Sequence, residues 1–107
     1  MRQLSVHALA DWLADSVRPA PQLLDVREPW EYERCHVPGS LHIPMATLPL
    51  RHGELDPERD IVVICHHGGR SMQSAVFLEH HGYRSIHNLT GGIHAWAINI
   101  DPAMPRY

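Results

Sequence analysis

Short apolar runs along the chain predict β-strands. The run Ile-Val-Val-Ile at residues 61–64 is the strongest of them, because four β-branched residues in succession are typical of a strand that is buried on both faces. The other runs are equally short and are bounded by proline or polar residues. The predicted strands cover residues 22–26, 41–43, 61–64 and 85–89.

Between the strands, apolar residues recur at the i, i+3, i+4 spacing of helices. Ser5 is suited to cap the first helix, whose apolar positions run from Val6 to Val17 and which Pro19 should end. Gly82 is typical of the residue that follows the end of a helix. The predicted helices cover residues 6–17, 30–34, 70–81 and 93–97, and residues 44–60 are predicted to form a loop that includes a helical turn.

Strands that alternate with short helices predict a parallel sheet covered by helices on both faces, and hence an α/β fold. The 107 residues can bury one hydrophobic core and are few for two, so we expect a single domain over residues 1–107. In such folds, ligands bind at the carboxyl ends of the strands. Cys65 directly follows the strongest strand, which places it at that edge.

The composition narrows the classes of partner. The formal net charge is −3, so we expect no basic surface for nucleic acid. No stretch approaches the ~20 apolar residues of a membrane span, and His7, Asp11 and Asp15 interrupt the apolar core that a signal peptide needs. We therefore expect no membrane partner and a cytoplasmic location. A disulfide between Cys35 and Cys65 stays open on the sequence alone, although a reducing compartment argues against it.

Cys65 begins a strand–loop–helix segment in which three effects favour the thiolate form of its side chain. Backbone N–H groups of a tight loop that contains Gly68 and Gly69 can turn inward and bind an anion. The helix that follows directs the positive end of its dipole at the loop, and Arg70 adds a cation with a planar fork of donors. A thiolate in this setting is a nucleophile. The alternative interpretation is a small apolar residue buried at the end of a strand.

Three segments of the chain resemble, in the same order, the signatures of the rhodanese-type sulfurtransferase family. The loop Cys-x-x-Gly-x-Arg-Ser at residues 65–71 is similar to the family's active-site loop. Leu-Asp-Val-Arg-Glu-Pro-x-Glu-Tyr at 24–32, continued by His-Val-Pro-Gly-Ser at 36–40, resembles the upstream signature, and Leu-Thr-Gly-Gly-x-x-Ala-Trp at 89–96 resembles the closing one. The resemblance implies a rhodanese-like α/β fold, with a central, mostly parallel sheet of about five short strands and helices on both faces.

The resemblance also implies a reaction. Cys65 would accept sulfur from a small anionic donor such as thiosulfate, hold it as a persulfide and pass it to cyanide, a thiol or a protein. This chemistry needs neither a metal nor an organic cofactor, and the sequence predicts no particular oligomeric state. The residues expected to form the loop that binds the substrate and the persulfide are His66, His67, Gly68, Gly69, Arg70 and Ser71.

Two other classes of function stay open. Phosphatases and arsenate reductases of related fold place five residues between cysteine and arginine, whereas four, His66 to Gly69, separate Cys65 from Arg70 here. The shorter loop makes a smaller cradle, which suits a sulfur atom better than a phosphate group. The other alternative is a non-catalytic rhodanese-like binding or sulfur-carrier module. Cys65 and Arg70 argue against a silent module, because such a module has no chemical need for them.

Several residues near this loop have both a functional and a structural interpretation. Asp25 and Arg27 follow a predicted strand at the same edge; Arg27 could steer an anionic donor, but a structural ion pair or hydrogen bond is favoured. His66 and His67 could hold a donor or respond to pH, although a role as spacers that contribute backbone N–H groups is favoured. Zinc binding by Cys65 with these two histidines is disfavoured, because adjacent ligands do not readily reach one tetrahedral ion.

Cys35 departs from the family pattern, which has glycine at this position. We expect it to lie away from the Cys65 end of the sheet. A role as a resolving thiol for Cys65 is an alternative, limited by the strict geometry of disulfides. If the family's glycine adopts a left-handed backbone, Cys35 would carry local strain.

Overall fold

The computed structural model describes residues 1–107 and contains one five-stranded sheet. The strands are β1 (Arg2–Leu4), β2 (Gln22–Asp25), β3 (Leu41–His42), β4 (Ile61–Ile64) and β5 (Ile86–Leu89). Their order in the sheet is β1-β5-β4-β2-β3, and all neighbouring strands are parallel. The predicted α/β fold with a central parallel sheet is confirmed.

Four helices lie between successive strands and a fifth follows β5, and helices pack on both faces of the sheet. They are α1 (Val6–Ala14), α2 (Pro29–Arg34), α3 (Leu48–Arg51), α4 (Gly69–His80) and α5 (Gly92–Asn99). Short 3-10 turns at Met45–Thr47 and His52–Glu54 flank α3, so much of the segment predicted as a loop consists of helical turns. Each helix falls short of the length and apolar character that crossing a bilayer requires.

Side chains that alternate along β4 supply two hydrophobic clusters, one on each face of the sheet. Val62 and Ile64 pack with residues of α1 and α5, whereas Ile61 and Val63 pack with residues of α4. All four side chains are fully buried. Burial of a side chain of this size contributes about 1.5–3 kcal/mol. Cys65 therefore follows a strand that is held from both sides.

The register of the sheet brings the ends of three strands to one edge. Asp25 at the end of β2 is paired with Ile64 at the end of β4. Asn88 in β5 is paired with Val63 in β4. Because parallel strands end at the same edge, the segments that follow β2, β4 and β5 are neighbours. The three sequence signatures lie in these segments, so the fold assembles them in one place.

Two predicted features of the first twenty residues differ from the structure. β1 was not predicted, because Arg2–Leu4 is short and mostly exposed; it becomes a strand by pairing with β5, where Arg2 lies opposite His87. The first helix ends at Ala14, short of the predicted position 17. The Asp15 carboxylate accepts the N–H of Val17 at 2.9 Å, a local bond that competes with the helix, and the Val17 side chain is exposed.

Candidate active site

Cys65 lies just beyond β4 with only 1% of its surface exposed. Its sulfur has two polar contacts. The N–H of Gly68 donates a hydrogen bond to Sγ at 3.0 Å, and the thiol donates to the hydroxyl of Ser71 at 3.3 Å. One backbone amide of the predicted loop is therefore directed at the sulfur, as an anion-binding loop requires.

The backbone of Gly68 makes the turn between the strand and the helix. Its φ of 118° lies in the left-handed region, which side chains other than glycine rarely adopt. α4 starts at the next residue, so its N-terminus faces the loop that contains Cys65. The dipole of this twelve-residue helix favours negative charge there.

The start of α5 holds the same loop from the other side. The N–H of Ile93 donates to the carbonyl of Cys65 at 2.8 Å, and the N–H of His94 donates to the carbonyl of His66 at 3.1 Å. Gly92 makes this approach feasible: a Cβ at this position would overlap the Cys65 carbonyl oxygen and lie 2.5 Å from that of His66. The glycine of the closing signature is therefore required by space as well as by its φ of 59°.

Ser71 connects the sulfur to the neighbouring strand β5 and, through it, to the edge strand β1. Its hydroxyl contacts the carbonyl of Gly68 at 3.0 Å and the side-chain oxygen of Asn88 in β5. The Asn88 amide in turn donates to the side chain of Gln3 in β1 at 3.0 Å. Asn88 and Gln3 were not predicted as site residues, because Asn88 lies one position before the closing signature and Gln3 comes near only through the pairing of β1 with β5.

Arg70, the cation that the sequence predicts for this loop, is paired with a carboxylate. Its two terminal nitrogens donate to the two carboxylate oxygens of Glu31 in α2, at 2.6 and 2.8 Å. The hydrogen bonds from Arg70 lower the pKa of Glu31 to about 2, and the carboxylate raises the pKa of Arg70. Glu31 is buried, whereas the Arg70 side chain is 32% exposed. Three of the five guanidinium N–H groups of Arg70 remain without an acceptor.

Asp25 and Arg27 form a fully buried ion pair. The guanidinium of Arg27 binds the Asp25 carboxylate at 2.8–3.1 Å and also donates to the backbone carbonyls of Glu31 and Cys35. Its remaining N–H donates to the hydroxyl of Tyr107 at 2.8 Å. Because Arg27 is buried and all its donors are used, it ties β2 to the end of α2 and has no N–H group left for a donor molecule.

The two loop histidines differ in their surroundings. The ring of His66 stacks on His67 and on Tyr107, each at 4.1 Å between ring centres, and His94 lies beside both histidines. Burial lowers the pKa of His66, which favours the neutral form of its imidazole. His67 is exposed.

The position and the backbone conformation of Cys35 differ from what the sequence predicts. It lies near the Cys65 end of the sheet, since it lines a small cavity together with His66 and Tyr107. Its φ of −167° is ordinary extended backbone, so it carries no left-handed strain. Both cysteines are free thiols, and their side chains belong to different hydrophobic clusters on opposite faces of the sheet.

Comparison with known proteins agrees with this geometry. The sequence profile of the family described as Rhodanese-like domain matches residues 9–99. The chain belongs to the rhodanese-like domain family. A relative named Sulfurtransferase, from Allochromatium vinosum, is 36% identical to this rhodanese-like domain over 97 residues, which cover 91% of this chain and 89% of that protein. The crystal structure of a Rhodanese-like Domain Protein from Staphylococcus aureus has a TM-score of 0.84 at 29% identity, and covers 90% of this chain and 91% of its own.

Two other relatives are longer than the part they share with this rhodanese-like domain. Rhodanese-like/PpiC domain-containing protein 12, chloroplastic, from Arabidopsis thaliana is 38% identical over 112 residues, which cover 100% of this chain and 38% of that protein. Putative sulfur carrier protein YrkF from Bacillus subtilis is 39% identical over 74 residues, covering 69% of this chain and 40% of that protein. The chain thus spans about two fifths of the length of each of these two relatives.

Proposed function

We propose that this protein is a sulfurtransferase that moves sulfane sulfur from a donor such as thiosulfate to a thiophilic acceptor, through a persulfide on Cys65. The observation that carries the proposal is the position of the Cys65 sulfur. It lies at the end of a strand buried on both faces, receives the Gly68 N–H at 3.0 Å and faces the N-terminus of α4. The relatives named as a sulfurtransferase and a sulfur carrier support the same chemistry.

The reaction has two transfers. In the first, the Cys65 thiolate attacks the outer sulfur of thiosulfate; a new S–S bond forms, and the old S–S bond breaks with its electron pair leaving on sulfite. In the second, an acceptor such as cyanide attacks the terminal sulfur of the persulfide, forms thiocyanate and returns the electron pair to Cys65 as a thiolate. No electrons are gained or lost overall.

The groups around Cys65 suit the anions of this cycle. Both the thiolate and the terminal persulfide sulfur carry negative charge, and the Gly68 N–H and the α4 dipole favour that charge in either state. The Ser71 hydroxyl accepts from the thiol in the resting state and can turn to donate once the sulfur is ionised. The site therefore stabilises the intermediate with the same groups that activate the nucleophile.

Arg70 is the candidate for recognising an anionic donor. The three N–H groups that Glu31 leaves free match the oxygens of a sulfonate-like group. Because the Glu31 carboxylate offsets much of the positive charge, this recognition depends on directed hydrogen bonds more than on net charge.

The loop length supports sulfur transfer over phosphate hydrolysis. Four residues separate Cys65 from Arg70, and Ser71, which follows, turns inward onto Gly68 and Asn88. The acceptor would be cyanide, a thiol or a protein. A reducing compartment such as the cytoplasm suits this cycle, since both cysteines are free thiols.

Intact-mass measurement after incubation with thiosulfate tests the proposal. We expect a gain of one sulfur atom on the protein, its release as thiocyanate when cyanide is added, and no gain in Cys65→Ser. Cys35→Ser is the matched control and should gain sulfur normally, because Cys35 lies on the other face of the sheet. Absence of an adduct with thiosulfate, 3-mercaptopyruvate and protein persulfides alike would sink the proposal, and hydrolysis of a phosphate ester without any adduct would favour a phosphatase.

A further inference from the structure

Two arginine–carboxylate pairs at the active-site edge are joined by a single hydroxyl group. The Tyr107 hydroxyl accepts a hydrogen bond from Arg27 at 2.8 Å and donates to Oε2 of Glu31 at 2.8 Å. Arg70 donates to the same Oε2 at 2.8 Å. A continuous chain of polar contacts thus runs from the buried Asp25–Arg27 pair to the partly exposed guanidinium of Arg70.

The Tyr107 ring also touches the sulfur loop. It stacks on His66 with 4.1 Å between ring centres and an angle of 15° between the planes, and meets Trp30 edge-on at 5.4 Å. Burial raises the pKa of the Tyr107 hydroxyl to about 12, so it keeps its proton and remains a donor at neutral pH. The side chain is held by its ring on one side and by its hydroxyl on the other.

We propose that Tyr107 is a positioning residue, whose hydroxyl holds the Glu31 carboxylate so that Arg70 is kept in place, with donors free, for an anionic sulfur donor. This inference rests on the proposed function and specifies how that site recognises its donor. Tyr107 acts through Glu31 and Arg70 and has no contact with the Cys65 sulfur.

The physical reason is the sharing of one carboxylate oxygen. Oε2 of Glu31 accepts from both Tyr107 and Arg70, while Oε1 accepts from Arg70 and from the N–H of Glu28. Without the hydroxyl, the hydrogen bond from Arg70 to Oε2 would become stronger, and the carboxylate would lose one of the hydrogen bonds that fix its orientation. An anion that binds Arg70 would then compete with a stronger internal partner, and its affinity would fall.

Tyr107→Phe tests this positioning role because it keeps the ring and both ring contacts and removes only the hydroxyl. The probe is inorganic sulfate, an unreactive anion, followed by the shift of the Gly68 N–H resonance. We expect its Kd to rise about threefold to tenfold, a change of about 0.6–1.4 kcal/mol. The KM for thiosulfate should rise by a similar factor, with kcat changed less than twofold.

Tyr83→Phe is the matched control. The Tyr83 side chain is buried and its hydroxyl donates to the carbonyl of His52 at 2.5 Å, but it has no link to Arg70. The thermal unfolding midpoints of both variants show the cost of losing a buried hydroxyl, whereas only Tyr107→Phe should weaken sulfate binding.

A double-mutant cycle separates positioning from a general structural effect. In the Arg70→Ala background, Tyr107→Phe should cause no further loss of sulfate affinity, because the residue through which it acts is gone. Three results would each overturn the inference: no sulfate binding by the unsubstituted protein, an unchanged Kd in Tyr107→Phe, or an equal effect in both backgrounds. If Tyr107→Phe weakens sulfate binding as expected but the unsubstituted protein takes up no sulfur, the positioning role stands and the proposed reaction fails.

Discussion

The Cys65 sulfur contacts a backbone N–H and a hydroxyl, while the nearest arginine on its loop is bound to a carboxylate. Gly68 and Ser71 touch Sγ, and Arg70 is paired with Glu31. Fixed dipoles that point at a buried atom stabilise charge without reorganising, because their direction is set by the fold. At the scale of single residues, the proposed function therefore assigns activation of the thiol and recognition of the donor to different groups.

This division of roles predicts that Arg70→Ala discriminates between donors. We expect uptake of sulfur from thiosulfate to slow by about tenfold or more, since one or two charge-assisted hydrogen bonds are lost. Uptake from an uncharged alkyl persulfide should change much less, because Gly68 and α4 are intact. The measurement is the rate of adduct formation by mass spectrometry for each donor.

Arg51→Ala is the control for this prediction, because Arg51 also pairs with a glutamate, Glu54, but on the exposed surface. It should leave both rates unchanged. Equal slowing with charged and uncharged donors in Arg70→Ala would show that Arg70 only maintains the structure of the loop.

At the scale of elements, the loop is held between the start of α4 and the start of α5. α4 supplies the turn at Gly68 and its dipole, and α5 binds the loop carbonyls through the amides of Ile93 and His94. Because α5 binds the carbonyls of Cys65 and His66, the orientation of these peptide groups in the loop is fixed. The close approach that permits this depends on Gly92.

Gly92→Ala should therefore disrupt the site. The added methyl group would overlap the carbonyls of Cys65 and His66, so either α5 or the loop must shift. We expect a loss of about 1–3 kcal/mol in the free energy of unfolding from the overlap, in addition to the strain of its backbone conformation. Urea denaturation measures the loss of stability. The rate of sulfur uptake reports on the displacement of the loop, and we expect it to fall sharply.

Gly82→Ala separates overlap from strain in that experiment. Gly82 also has a left-handed backbone, with φ of 89°, but a Cβ there would enter open space. If the two alanine variants lose equal stability and both still take up sulfur, the close packing of α5 against the loop does not determine the shape of the loop.

Local patterns explain which elements were predictable from the sequence. The strand at residues 61–64 and the glycine loop after it are marked by consecutive residues, and the structure has both where the pattern places them. Glu31 was missed as the partner of Arg70 because 39 positions separate them. β1 was missed because pairing with β5, rather than any pattern of its own, makes it a strand. Contacts of this kind depend on the assembled fold.

For the molecule as a whole, the Glu31–Arg70 pair links α2 to the loop and α4, so its charge state affects the stability of the entire fold. The pKa of Glu31 is about 2 in the folded protein, against 4.5 for an unperturbed glutamate, so the folded state favours the ionised form. The resulting stabilisation is fully present above the unfolded pKa and disappears as the pH falls toward 2. Its size is roughly 3 kcal/mol.

We therefore predict that the free energy of unfolding drops between pH 6 and pH 3, and that Glu31→Gln reduces the size of this drop. Urea denaturation at the two pH values measures it. Glu54→Gln is the control, because its pair with Arg51 is exposed and screened by solvent, and it should leave the drop unchanged. A drop of the same size in Glu31→Gln and in the unsubstituted protein would contradict the linkage.

The placement of the two thiols on opposite faces of the sheet has a consequence for how the protein recovers from oxidation. Cys65 lies with the residues that face α4, and Cys35 lies with those that face α1 and α5. The two side chains pack in different clusters, so under the proposed function we expect Cys35 to take no part in discharging a sulfur-loaded Cys65. The proposed cycle then predicts that sulfur held on Cys65 leaves only with an acceptor molecule that comes from outside the chain.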